Sequence, residues 1–329
     1  MTQYTIGVDV GGTKIAAAIA DDLGTILARN VTPTEAKKGG DVVVDQIVTM
    51  VQYLLAETGC TSKQLKNIVL GIPGQLNHKK GLVINAPNIS GWTNYPVVNR
   101  LKKSFQKTAV ILVNDAQSAA MGELYFGAGK NYHNIIFMTV STGIGGGLIL
   151  NKQLYSGAHR IAGEVGHMVL NLTTDDQYKC ACGRHGCLEA YASGINMARR
   201  AGRKLKELTV ISEYYGGKVL ELSERNGGKI TSIILSEAAG MSDQFAIEAI
   251  EENGYYLGIA CSNLINIFDP EAIVIGGGVS QIGKILFDSI RKTTQEHVKM
   301  TANLKTAILP ATTGTDAGIL GAVAVGLSK

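Results

Sequence analysis

Little in this sequence ties it to a membrane, a secretory route or a nucleic acid. Apolar runs break at glycine or charge within a few residues, well short of a bilayer span. The opening MTQYTIGVDVGG has neither the basic start nor the apolar stretch of a secretory signal and passes directly into strand-like alternation. Charge of one sign is also scarce. The 31 Lys and Arg residues against 27 Asp and Glu leave +4, spread along the chain, which argues against a nucleic-acid partner. Cysteine is sparse and odd in number: five, with Cys60 and Cys261 isolated in apolar segments. A disulfide framework is therefore excluded, and the expectation is a cytoplasmic chain with reduced thiols.

What is present is length, an apolar interior and glycine. The 329 residues, 45% hydrophobic and 18% charged, suffice for two domains with a generous core. The 40 glycines cluster without period, which excludes collagen-like and low-complexity readings and points to backbone that approaches a ligand closely.

The chain repeats itself. YTIGVDVGGTKIAAAIA (4–20) and NIIFMTVSTGIGGGLIL (134–150) both read as strand, glycine-rich turn, strand. IVLGIPG from Ile68 matches IVIGGGV from Ile273, each a buried strand leaving through glycines. AVILVNDAQSAAMGELYFG pairs with TAILPATTGTDAGILGAVAVG, each a short strand, an Asp (Asp115, Asp316) and a small-residue helix. The wider spacing of the later matches requires an insertion in the second half. Helical periodicity in DVVVDQIVTMVQYLLAETG and DQFAIEAIEENGYYLGIACSNLINIF fills the gaps. The pattern predicts two related α/β domains facing each other across a cleft, with ligands where strands end in glycine turns.

DVGGTK places Gly11 and Gly12 between two strands, followed by Thr13 and Lys14. Free backbone N–H groups, a hydroxyl and an ammonium together attract an anion, although a hairpin that needs glycine for its φ angles reads the same way. STGIGGG (141–147), at the equivalent place in the other half, favours a polyphosphate held from both sides. No P-loop and no dinucleotide fingerprint occurs. Three further cysteines, Cys180, Cys182 and Cys187 in CACGRHGCLE, are spaced C-x-C-x4-C. With one imidazole they would complete a closed tetrahedral set for Zn²⁺, and His159, His167 and His185 are the histidines in reach.

Together DVGGTK, the duplicated halves, STGIGGG, GEVGH and CACGRHGCLE resemble the ROK family of sugar kinases and regulators, of the actin-like ATPase (ribonuclease H-like) superfamily, from Asp9 to Gly321. The resemblance is nearest to bacterial-type ROK glucokinases. It implies an ATP-Mg²⁺ site built from Asp9, Gly11, Gly12, Thr13, Lys14, Thr142 and Gly143, with adenosine near Gly276 and Gly277. Asp115 matches the catalytic base, where the residues alone read as a helix N-cap. Asn88, Asn114, Glu164, His167 and Glu189 match positions that hold the sugar, beside Asp115. His167 becomes the fourth ligand of a structural zinc with no role in phosphoryl transfer. GTDAG departs from the family pattern at Thr315, which leaves Asp316 without an assigned role.

The resembled fold assigns 1–116 with 310–329 to a small domain and 117–309, with the zinc-binding insertion, to a large one. The expected function is ATP-dependent phosphorylation of a hexose, glucose first, with N-acetylmannosamine, N-acetylglucosamine, fructose and allose as alternatives and a homo-oligomer as the assembly. Repressors of the family carry a DNA-binding helical domain ahead of the first glycine loop. Here a strand begins by residue 4, which favours the kinase. Because the ATP loops lie outside the insertion, loss of the metal is expected to weaken sugar binding more than ATP binding.

Overall fold

The computed structural model describes residues 2–86, 88–299 and 305–329. The chain begins with β1 (Tyr4–Val10), β2 (Lys14–Ala20), β3 (Ile26–Pro33), α1 (Gly40–Thr58) and β4 (Leu65–Ile72). Three short strands follow, β5 (Gln75–Asn77), β6 (Leu82–Asn85) and β7 (Thr93–Tyr95), then α2 (Val97–Lys102), β8 (Ala109–Asn114) and α3 (Asp115–Phe126). The second half opens with β9 (Ile135–Val140), β10 (Ile144–Leu150) and β11 (Gln153–Tyr155). It continues through α4 (Leu188–Ala192), α5 (Gly194–Glu207), α6 (Gly217–Arg225), α7 (Ser232–Gly240) and α8 (Gln244–Phe268). It closes with β12 (Ala272–Gly276), α9 (Lys284–His297), β13 (Ala307–Pro310) and α10 (Ala317–Leu327).

The duplication read from the sequence is a duplication of sheet topology. One five-stranded sheet has the order β3-β2-β1-β4-β8 and the other β11-β10-β9-β12-β13. In the first, β1 pairs antiparallel with β2 and parallel with β4, as an alternation followed by a helical crossover requires. In the second, β12 lies parallel to both β9 and β13. Two compact units result, Met1–Asn131 with Ile149–Tyr155 and Thr313–Lys329, and Tyr132–Leu148 with Ser156–Thr312.

In the first unit α1 buries Val43, Ile47, Val51 and Leu54 along one stripe against Ile6, Val8 and Ile68, and stops at Gly59 in the left-handed region. Each such side chain, once fully buried, contributes roughly 1.5–3 kcal/mol. Helix α3 belongs here because it packs on α10. The approach is close: a side chain on Gly321 would collide with the Ser118 carbonyl, and one on Gly122 would press on the Gly321 amide. The core of the second unit gathers Ile136, Met138, Leu235, Leu257, Ile273 and Ile290. There the buried Asp243 carboxylate accepts from the N–H groups of Gly216 (3.0 Å), Lys218 (3.0 Å) and Ala246 (3.2 Å), and so ties the starts of α6 and α8 to one point. No helix among the described residues is long and apolar enough to cross a membrane.

Candidate active site

In the first unit, the turn between β1 and β2 closes on itself. Gly11 N–H donates to the Lys14 carbonyl at 3.0 Å, and the Thr34 hydroxyl donates to the Gly11 carbonyl at 2.7 Å. Gly12 lies against Asn88, where a side chain would come within 2.7 Å of the Asn88 Cβ. The turn and Asn88 are thus neighbours, and Thr13 and Lys14 are exposed. Thr34 was not singled out in the sequence, and nothing in its local pattern marks it.

Asp9 stands one residue before the end of β1, in register with Ala16 of β2 and Gly71 of β4. Its carboxylate presses on Gly318 in the first turn of α10, where any side chain would overlap it; the small residues of GTDAG carried that signal. Burial, then the Asp115 charge, raise the Asp9 pKa to about 6 despite the opposing pull of Lys14. Desolvation also raises that of Asp115, against two backbone hydrogen bonds that lower it. The Asp115 side chain remains open to solvent, although protein surrounds it closely enough to desolvate it. Its neighbour takes the capping role: Asn114 Oδ1 accepts from Ala116 N–H at 3.0 Å and Gln117 N–H at 3.3 Å, so α3 does not depend on Asp115 for its N-cap. Asp316 forms an exposed ion pair with Arg29 of β3, an arrangement that contributes about 0–1 kcal/mol.

In the second unit, the turn after β9 is closed by Ser141 N–H to the Gly143 carbonyl at 2.8 Å. Two distant residues complete it. Ile144 N–H donates to Glu189 Oε2 at 2.9 Å, and Gly194 N–H donates to the Ser141 carbonyl at 2.7 Å. A side chain on Gly143 would come within 2.6 Å of that same Glu189 oxygen. Thr142 is exposed at the tip. Gly277 has φ +87° and sits on the Val140 carbonyl, which brings the end of β12 beside this turn. Gly276 pairs with Thr139 in the sheet.

GEVGH lies directly on β10, because Gly166 leaves room for the Ile144 carbonyl and Gly163 for that of Gly146. Glu164 is exposed, and His167 ends a single 3-10 turn. His167 Nδ1 lies 3.6 Å from Cys180 Sγ, and Cys182 Sγ lies 3.8 Å from Cys187 Sγ. The four ligand atoms all fall within 4.8 Å of one another. His185 instead bonds Asp176 at 3.0 Å. Burial pushes the Cys180 thiol up to about 12, whereas the Arg184 backbone N–H lowers Cys182 to about 6. Glu189 Oε1 lies 3.6 Å from Cys180 Sγ, so one carboxylate touches both the cysteine cluster and the glycine turn.

The ROK family model matches residues 5–328. The chain is a member of the ROK family. Across 323 residues this ROK protein is 35% identical to a glucokinase of Halalkalibacterium halodurans, covering 97% of this chain and 93% of that one. A xylose repressor of Bacillus spizizenii is 29% identical, and the match spans 97% of this chain but 75% of the repressor. Among solved structures, a ROK family glucokinase from Streptomyces griseus in complex with glucose and AMPPNP superposes with a TM-score of 0.77 at 32% identity, covering 99% and 100% of the two chains. The ROK hexokinase from Thermus thermophilus gives 0.81 at 28% identity, covering 98% of each. The fold is therefore the actin-like ATPase fold of ROK kinases.

Proposed function

We infer that this ROK protein is an ATP-dependent hexose kinase, a glucokinase that converts glucose and ATP to glucose 6-phosphate and ADP. The observation that carries this reading is the pair of carboxylates Asp9 and Asp115, both raised in pKa by burial and Asp9 further by the Asp115 charge, in a chain 35% identical over its length to a glucokinase. Phosphoryl transfer needs one group to take the proton of the attacking hydroxyl and donors to hold the phosphates. Asp115 accepts the proton from the C6 hydroxyl. The oxygen then forms its bond to the γ-phosphorus as the bond from phosphorus to the β,γ-bridging oxygen breaks, and ADP leaves with that electron pair. A raised pKa suits Asp115 to this task, and although its Oδ1 accepts from Ala116 N–H at 2.9 Å, the N-cap role falls to Asn114.

Asp9, Gly11, Gly12, Thr13, Lys14, Thr142 and Gly143 are the residues for the phosphates, and Gly276 and Gly277 those for the adenosine. Asp9 fits a role toward Mg²⁺, since a half-buried, desolvated carboxylate repelled by a neighbour is relieved by a cation. Bound there, Mg²⁺ would neutralise phosphate charge. Asn88, Asn114, Glu164, His167 and Glu189 hold the sugar hydroxyls. With Nδ1 of His167 turned to the cysteines, Nε2 is left as the donor.

Zn²⁺ fits His167, Cys180, Cys182 and Cys187. Tetrahedral bonds of about 2.3 Å to sulfur and about 2.05 Å to nitrogen separate two sulfurs by about 3.8 Å and a sulfur from a nitrogen by about 3.6 Å. The distances here are 3.8 and 3.6 Å. The ion would hold this loop in place. A cytoplasmic location, where ATP is available, and assembly as a homo-oligomer belong to the same proposal. The test is a coupled assay of ADP formation across glucose, mannose, fructose, allose and the N-acetylated amino sugars. Glucose should give the highest kcat/KM. No turnover above background with any of them would refute the enzyme.

A further inference from the structure

Helix α5 carries five cations in GINMARRAGRKLKE and sorts them by face. Arg200 is buried, with its guanidinium over the Tyr256 ring at 4.8 Å and 3.7 Å from Glu252; Lys204 reaches the same carboxylate at 3.0 Å. On the other face, Arg199, Arg203 and Lys206 follow one another at helical spacing and have no ion pair among the described residues. The one hydrogen bond recorded for Arg199 is to the neutral Asn196 side chain, at 3.3 Å. Like charges at this spacing destabilise a helix, and the one carboxylate beside them, the exposed Glu207 four residues past Arg203, makes no ion pair with any of them among the described residues.

These three residues, with Lys229 from the turn before α7, line a cavity of about 1240 Å³ that lies wholly within the second unit. Its volume exceeds the roughly 300–1,000 Å³ usual for a small-molecule site. One end is formed by Ser141, Thr142 and Gly278, where the reading above puts the nucleotide. The cavity then follows α5 away from that turn. A rise of 1.5 Å per residue puts Lys206 roughly 18 Å along the helix from Gly194. The walls at this far end are apolar, from Leu205, Leu208, Ile211, Leu220 and Ile230, and Ile211 keeps 40% of its surface exposed. Among the described residues, no Asp or Glu lines the cavity.

We propose that the far end of this cavity is a second binding site, separate from the nucleotide's, for an organic anion with an apolar body. The walls remove its hydrocarbon from water, and Arg203 and Lys206, aided by Arg199 and Lys229, hold its charged group. A nucleic acid fits poorly, since four cations around an apolar hollow offer no continuous track for a phosphate backbone.

The probe is 1-anilinonaphthalene-8-sulfonate, an aromatic sulfonate whose fluorescence rises in apolar surroundings, titrated into the full-length zinc-loaded protein with and without saturating AMPPNP. One saturable site should persist with the nucleotide bound. Arg203→Glu with Lys206→Glu should weaken it at least about tenfold, and the milder Arg203→Gln with Lys206→Gln should weaken it in the same direction, with thermal melts confirming folding. Lys204→Glu, on the opposite face, should change it less than twofold, and the KM for ATP of the double variants should stay within about twofold. Decyl phosphate and decanoate should each displace the dye, and the more effective of the two identifies the preferred head group. Complete displacement by AMPPNP, unchanged dye binding in both double variants, an equal loss in Lys204→Glu, or displacement by neither amphiphile would each overturn the proposal. Dye binding requires no turnover, so this result stands or falls independently of the kinase assay.

Discussion

The two glycine turns look alike in sequence but are held in opposite ways. The turn after β1 is closed by its own Lys14 carbonyl and by Thr34 from β3's exit. The turn after β9 also needs the Glu189 carboxylate, 45 positions away, and the start of α5. A turn closed locally keeps its shape when a remote loop changes. A turn closed by a remote carboxylate shares the fate of the loop that carries it, and here that loop is the one with the cysteines. The premise that both ATP loops stand apart from the insertion fits the first turn; the second is tied to it by Glu189, so loss of the metal is expected to reach ATP binding there, though less than sugar binding. The two turns can be told apart by experiment.

The largest effect belongs to the chemistry beside the first turn. Asp115→Asn preserves shape but cannot take a proton at neutral pH, so kcat should fall at least about a hundredfold. Sugar affinity, AMPPNP affinity and metal content should stay near wild type by calorimetry and metal analysis. Near-normal turnover would remove Asp115 from the mechanism.

Next comes the coupling at the second turn. Removing the metal by chelation, or Cys182→Ser, should weaken glucose binding more than about tenfold, and AMPPNP binding should weaken several-fold in step. Glu189→Ala should reproduce the nucleotide loss with the metal retained. Glu189→Gln, which keeps an oxygen for the Ile144 N–H, should recover part of it. Thr34→Val, at the first turn, should lower AMPPNP affinity by no more than about fivefold and leave metal and glucose binding alone. Chelation that costs glucose affinity with AMPPNP affinity intact would break the link between the cluster and the second turn.

The smallest effect concerns stability near the first turn. Asp9 holds its proton more tightly when folded, at about 6, than when unfolded, near the ordinary 3.8. Its contribution is therefore fully present below pH 3.8 and is lost as pH rises through about 6. At pH 8, without ATP or Mg²⁺, Asp9→Asn should raise Tm by about 2–4 °C. At pH 4 the gain should shrink toward zero. A lower Tm for the variant at pH 8 would mean that the charged carboxylate stabilises the free protein.

Local patterns made most of the architecture legible. Alternation ending in glycine located β1, β2, β9 and β10, and the matched pairs Ile68 with Ile273 and Asp115 with Asp316 anticipated the repeated strand order. Such signals live within a few residues. The bond from Glu189 to Ile144 joins segments with no common period, and only the folded chain brings them together. The cap was ambiguous for a similar reason: Asn114 and Asp115 are both good caps, and the fold gives the N-cap to Asn114, with Asp115 Oδ1 also accepting from Ala116 N–H. Spacing alone left three histidines in play for the metal cluster, and the fold brings His167 into it. Arg29, the partner of Asp316, lies 287 positions away and was equally invisible.

The close crossing of α3 and α10 bears on how the chain is made. The first unit's sheet begins at residue 4, yet the helix that covers it beside α3 follows the second unit in the chain, and Ser118 meets Gly318 across 200 positions. At roughly 5–20 residues per second, the ribosome delivers that helix on the order of ten to forty seconds after its partner. Until then α3 presents a strip of glycine, serine and alanine with nothing against it. The second unit's sheet is complete at β13, just ahead of α10 in the chain, so during synthesis the half that starts first is the half that finishes last.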